Sequence, residues 1–219
     1  MKKALTLLLA LTGAFTAAQA QTAAPAARLP ADKLVAMCIG CHNLPGYQAS
    51  FPEVHKVPAI AGQGAKYIAS ALNAYKKGDR KHPTMRGIAA SLSDQDIADI
   101  SVYYEQLGRS TTALPETLAT EPSSEVKALL AKGACVSCHG ANFSKPLDAT
   151  YPKLAGQYSD YLYVALKSYQ VDGNPHVGRN NAIMAGQAKQ FSHAELKLLA
   201  NYIGSLPGEV KTVPHSRFR

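Results

Sequence analysis

Apolar residues recur at helical spacing in two stretches that mirror one another: Ile97, Ile100, Tyr104 and Leu107, and then Leu196, Leu199, Ile203 and Leu206. Each series follows an S-x-x-[DE] signature, Ser93 to Asp96 and Ser192 to Glu195. In that pattern a serine caps a helix start and the acid three residues on answers it. The two stretches therefore predict the last helix of each half. A middle helix is expected over 65–77 and 159–171, and a first helix over 31–41 and about 123–138. Alternation that would predict strands is nearly absent, so the expected fold class is all-α.

The mirroring extends beyond the helices. Ala61-Gly62-Gln63 recurs as Ala155-Gly156-Gln157, ninety-four positions on, and the offset continues through Tyr67 and Tyr161, Ala71 and Ala165, Leu72 and Leu166, and Tyr75 and Tyr169. A second block repeats at ninety-nine, matching Ser93 with Ser192, Tyr103 with Tyr202 and Leu107 with Leu206. Self-similarity of this kind marks duplicated units. The expected organisation is a flexible segment over 21–29, a first domain over 30–108, a Pro-, Ser- and Thr-rich linker over 109–122, a second domain over 123–208 and a tail over 209–219. The repeated leucines and tyrosines read as packing residues.

The N-terminus has the organisation of an export leader. Lys2 and Lys3 precede an uncharged apolar run over 4–15, and Ala18-Gln19-Ala20 matches a cleavage site, so residues 1–20 are expected to be removed as a signal peptide and the protein to be periplasmic. The alternative, a membrane anchor, needs about 20 apolar residues. Losing Lys2 and Lys3 takes Lys+Arg from 23 to 21 against 15 Asp+Glu, a formal charge of +6. That excess is too modest and too dispersed for a nucleic-acid reader. Lys76, Lys77, Arg80 and Lys81 form the one dense basic cluster, read as a solvated loop or as a docking patch for an acidic redox partner.

The four cysteines change the picture most. They stand as Cys38-Ile39-Gly40-Cys41-His42 and Cys135-Val136-Ser137-Cys138-His139, with none left over. In an exported protein the C-x-x-C pattern alone would fit disulfides, a redox dithiol or half a zinc site. The histidine makes each pair a C-x-x-C-H, the attachment signature of c-type haem. On a helical turn, positions i, i+3 and i+4 share a face, so Cys38, Cys41, Cys135 and Cys138 are expected to form thioethers to two haem c groups while His42 and His139 bind iron.

Candidates for the second axial ligand are Met37, His55, His82 and Met85 in the first half and His176, Met184 and His193 in the second. Met85 lies eight residues before Ser93, and Met184 lies eight before Ser192, so these two are equivalent. No histidine candidate has a histidine counterpart: His82 falls opposite Asn181 and His193 opposite Asp94. Met85 and Met184, expected in a loop between two helices, are thus the candidate distal ligands. Thioether sulfur favours ferrous iron and raises its potential, and a filled sixth position leaves no open site for peroxide or dioxygen.

With its two C-x-x-C-H motifs, the [VY]-P-x-[IL]-A-G-Q segment in each half, the two methionines and Leu92-Ser93-Asp94-Gln95-Asp96-Ile97-Ala98-Asp99-Ile100, the chain resembles the dihaem cytochrome c4 family over nearly all of its mature length. The resemblance implies two tandem class I cytochrome c domains related by a pseudo-two-fold axis, each wrapped around one haem. It implies a periplasmic carrier passing single electrons between respiratory-chain partners, such as a quinol-oxidising complex, other cytochromes and a terminal oxidase. It implies no catalytic residues. In the first half His42-Asn43-Leu44-Pro45-Gly46-Tyr47 opens a longer loop than the His139-Gly140 of the second, a departure from the family pattern. The alternatives are an electron-transfer subunit of a larger redox complex and a dihaem enzyme of the peroxidase or thiosulfate dehydrogenase type.

Overall fold

A computed structural model of the protein describes residues 30–216. The leader expected over 1–20, the segment 21–29 and residues 217–219 lie outside the described residues. The first half contains α1 (Ala31–Leu34), α2 (Ala36–His42), α3 (Ala65–Lys77), α4 (Pro83–Ala90) and α5 (Asp94–Leu107). The second contains α6 (Ser124–Lys132), α7 (Val136–His139), α8 (Ser159–Ser168), α9 (Ala182–Ala188) and α10 (His193–Ser205). Among the described residues the only strands are four of two residues: β1 (Gln48–Ala49), β2 (His55–Lys56), β3 (Arg80–Lys81) and β4 (Gly178–Arg179). None of the described helices is long and apolar enough to cross a membrane.

Each half packs around its last helix. Ile97, Ile100 and Tyr104 of α5 meet Ile68 and Leu72 of α3 and Val35 and Ile39 of the first segment. Leu196, Leu199 and Ile203 of α10 meet Leu162 of α8, Val126 and Leu129 of α6, and Phe143. Burying each such side chain contributes roughly 1.5–3 kcal/mol. Both last helices open with a full capping box: Ser93 accepts from the Asp96 amide while Asp96 answers the Ser93 amide, and Ser192 and Glu195 do the same.

The helices leading into the cysteines are not continuous. In the first half the break falls at Val35, where the Cys38 amide donates to the Val35 carbonyl at 2.8 Å and tightens the turn. In the second, Gly133 caps α6 and Ala134 adopts a left-handed φ of 45°, with the Cys135 amide bonded back to Leu130. That six-to-one bond is the way many helices terminate. The middle helix of the second half stops at Ser168 rather than near 171.

The halves are joined by three sets of contacts. Gln63 and Gln157, both buried, each clamp the backbone of the other half. Gln63 pairs with Lys153 through both side-chain atoms at 2.9 Å, and Gln157 pairs with Ala59 at 2.8 and 3.0 Å. Because Ala59 and Lys153 are themselves equivalent in the repeat, the two clamps are related by a pseudo-two-fold axis. Near that axis β3 and β4 pair antiparallel, with Arg80 opposite Arg179 and Lys81 opposite Gly178. Third, the β1–β2 hairpin of the first half lies on α8, held by Lys56–Asp160 and Glu53–Lys167 ion pairs at 3.4 and 2.7 Å.

The tail beyond α10 adds a strap. Lys211 donates its amide to the Ala61 carbonyl at 3.0 Å, Val213 accepts from the Asn43 side chain at 2.7 Å, and Thr212 bonds the Tyr158 hydroxyl at 2.9 Å. Gly62 and Gly156, at φ 82° and 83°, let this strap pass: a Cβ on either would strike the carbonyl oxygen of Glu209 or Val210.

Candidate haem sites

Helix α2 carries Cys38, Cys41 and His42 on one turn, and the Cys135-to-His139 turn does the same in the second half. All four thiols are free and half-buried. Burial, with Cys41 nearby, pushes the Cys38 thiol up to about 11, and burial likewise raises Cys135. A redox dithiol needs the opposite shift. Nor do the two pairs come together as one metal set: among the described residues no group of three or more His, Cys, Asp or Glu side chains is arranged to hold an ion.

The imidazoles are oriented from behind. His42 Nδ1 lies 2.8 Å from the Pro58 carbonyl, and His139 Nδ1 lies 3.2 Å from that of Pro152. A carbonyl only accepts, so Nδ1 carries the proton and Nε2 presents its lone pair. Burial lowers both imidazole pKa values and keeps these rings neutral. Pro58 and Pro152 are the prolines of the repeated [VY]-P-x-[IL]-A-G-Q segment, ninety-four positions apart, but the role of their carbonyls carries no signal in the sequence.

Met85 and Met184 border the same continuous cavity of about 860 Å³ as the four cysteines and both histidines. They sit in the first turn of short helices rather than in the loop expected from the sequence. The amide of Met85 is capped by His82 Nδ1 at 3.4 Å, and that of Met184 by Asn181 Oδ1 at 2.9 Å. His82 and Asn181 are therefore equivalent as helix caps. Of the other candidates, Met37 is 54% exposed, His176 and His193 are exposed, and none of the three borders the cavity, whereas His55 and His82 do.

A family model described as Cytochrome c matches residues 30–108 and again 123–207. Cytochrome c4 of Azotobacter vinelandii is 30% identical over 218 residues, covering 94% of this chain and all of that one. The chain is a dihaem cytochrome of the c4 family. A thiosulfate dehydrogenase electron acceptor of Thiomonas intermedia (strain K12) is 29% identical over 194 residues, covering 84% and 85%. Among solved structures, reduced recombinant cytochrome c4 from Pseudomonas stutzeri superimposes with a TM-score of 0.57 at 26% identity, covering 80% of this chain and 96% of that one.

Like its relatives, this chain carries two covalently bound haem c groups and transfers electrons. The cavity has the charge that such a group requires. Arg80 and Arg179, adjacent across the β3–β4 pair, donate to the Tyr67 and Tyr161 hydroxyls at 2.9 and 3.0 Å and lie over Tyr67 and Tyr75, and over Tyr161 and Tyr169. Neither guanidinium has a carboxylate partner among the described residues. Two half-buried like charges side by side repel and call for an anion. The carboxylates of haem supply that charge, so the residues present fit the group.

This arrangement corrects two readings from sequence. Tyr67 and Tyr161 are not packing alone, since each accepts a hydrogen bond at the seam. The basic cluster is not one solvated loop either: Arg80 and Lys81 pair with the other half, while Lys76 and Lys77 are exposed at the end of α3, Lys76 donating to the Leu92 carbonyl at 2.6 Å.

Proposed function

We propose that this protein is a periplasmic carrier that takes single electrons from a quinol-oxidising complex or another cytochrome and delivers them to a terminal oxidase. In this reading Cys38 and Cys41, and Cys135 and Cys138, hold the haems as thioethers. His42 and Met85 bind the first iron; His139 and Met184 bind the second. Haem supplies the one-electron chemistry, while the protein supplies ligation, orientation and a largely dry surround. The observation that carries the reading is the pair Met85 and Met184, each presented by an equivalently capped helix to the cavity that the cysteines and histidines border. With both axial positions filled, such a protein passes electrons without binding a substrate at iron. The domain limits 30–108 and 123–208, and export by a leader over 1–20, belong to the same proposal.

A second reading, as electron acceptor of a thiosulfate-oxidising enzyme, is favoured by the relative from Thiomonas intermedia. Both are tested by mixing the purified protein with candidate partners under stopped flow. Oxidation of the ferrous form by terminal-oxidase membranes supports the first, and reduction of the ferric form by thiosulfate dehydrogenase supports the second. Turnover of peroxide or thiosulfate by the protein alone would overturn both.

A further inference from the structure

The two halves differ in chemistry at a buried position on the cavity wall. Three residues before the repeated proline the first half has His55, before Pro58, and the second has Ala149, before Pro152. Ala149 is exposed, whereas His55 is only 5% exposed and borders the cavity. Strand β2 carries it, and its ring stacks on Tyr161 of the other half with centroids 6.2 Å apart. Its Nδ1 lies 2.8 Å from the Glu53 carbonyl, so Nδ1 bears the proton of the neutral ring. Nε2 then offers a lone pair and has no protein partner among the described residues.

The charged groups around this ring are already committed. On its own hairpin Glu53 is paired with Lys167 of α8, and Lys56 is paired with Asp160 of α8. Tyr161 accepts from Arg179 of β4, Arg80 of β3 stands beside it, and His82, in front of α4, is used as a cap. The two carboxylates nearest along the hairpin and α8, Glu53 and Asp160, are thus both held by lysines, and the acid that borders the cavity, Asp79, is exposed to solvent. A haem held by these residues would bring its carboxylates to this same cavity, and a carboxylate and an imidazole lone pair both only accept. Contact between them needs a shared proton.

We propose that His55 binds a carboxylate of the first haem by sharing one proton with it, so that electron uptake at that haem is linked to proton uptake at His55. The electron comes from the redox protein that reduces the cytochrome and converts ferric to ferrous iron. The proton comes from water and forms one N–H bond on imidazole, offsetting the negative charge gained. Because reduction raises the proton affinity, the potential rises as pH falls. The second haem has alanine at this position and lacks the linkage. The inference rests on the haem assignment proposed above.

The test is a spectroelectrochemical titration of the holoprotein and of His55→Asn, whose amide keeps the donor to the Glu53 carbonyl, between about pH 5 and 8, where imidazole ordinarily titrates. In the wild type one potential falls with rising pH, approaching a tenfold change in the reduction equilibrium per pH unit, about 59 mV for one electron. The other changes far less, and His55→Asn removes the slope while keeping two haems per polypeptide. A slope that survives in His55→Asn, or two potentials that are equally flat in the wild type, overturns the proposal. A variant with fewer than two haems would count against the site reading instead. In that case NMR of the wild-type His55 ring decides: it must titrate at higher pH in the ferrous protein than in the ferric, and equal values overturn the linkage.

Discussion

Gln157 closes a two-point clamp on Ala59, accepting from its amide at 3.0 Å and donating to its carbonyl at 2.8 Å across the boundary between the halves. Replacing it strands both backbone groups in a buried seam, and each unpaired group costs about 1–3 kcal/mol. Gln157→Leu should therefore lose about 2–5 kcal/mol in urea unfolding and split one transition into two as the halves uncouple. An unchanged midpoint would show that the clamp contributes nothing.

The strap makes a prediction at a distance. Gly62 sits at φ 82°, and a Cβ there would meet the Glu209 carbonyl of the tail. Gly62→Ala should cost more than about 2 kcal/mol, combining left-handed strain with the collision. Removing residues 209–219 should itself destabilise the first half, because it takes away the partners of Ala61 and Asn43. The two changes together should cost less than their sum, since the collision disappears with the tail. Strict additivity in thermal unfolding would contradict this contact.

At the start of α10 the Ser192 amide donates to Glu195 at 2.7 Å. That bond, the Ser192 hydroxyl and Lys132 nearby hold the carboxyl below its ordinary value. Since the unfolded state keeps the ordinary value of about 4.3, the contribution to stability is full above that pH. It disappears as pH falls through the folded value. Ser192→Ala should move the Glu195 carboxyl resonance to titrate closer to the unfolded value in NMR. An unmoved midpoint would separate the cap from the shift.

Much of this was legible in the sequence, for local reasons. The C-x-x-C-H motifs, the capping boxes and the span of α3 depend on residues within a few positions of one another. The repeat also pairs Met85 with Met184, and the structure places the two at equivalent helix positions bordering one cavity. What escaped depends on the opposite half or on backbone conformation. Arg80 reads as surface charge and Arg179 carries no signal at all, because their burial comes from a strand pairing between residues far apart in the chain. The left-handed Ala134 that ends α6 carries no residue signature, unlike a glycine. The first-turn position of the methionines was signalled by Pro83 at a helix start and Asn181 as a cap, features that matter only once a helix is recognised there. Pro58 and Pro152 act through their carbonyls, which side-chain reading overlooks.

The two proposed distal ligands are separable by substitution. Exchanging thioether for imidazole favours ferric iron and lowers the potential. Met184→His should therefore lower one potential by the equivalent of at least a tenfold shift in the reduction equilibrium, about 59 mV for one electron, and leave the other nearly in place. Movement of both by the same amount would contradict independent ligation in the two halves.

The most direct measurement is the sulfur-to-iron charge-transfer band of the oxidised wild-type protein, quantified per polypeptide. Two methionine-ligated haems in one polypeptide predict a band of twice the intensity given by a monohaem His/Met cytochrome. A band of single intensity, or none, would contradict the account.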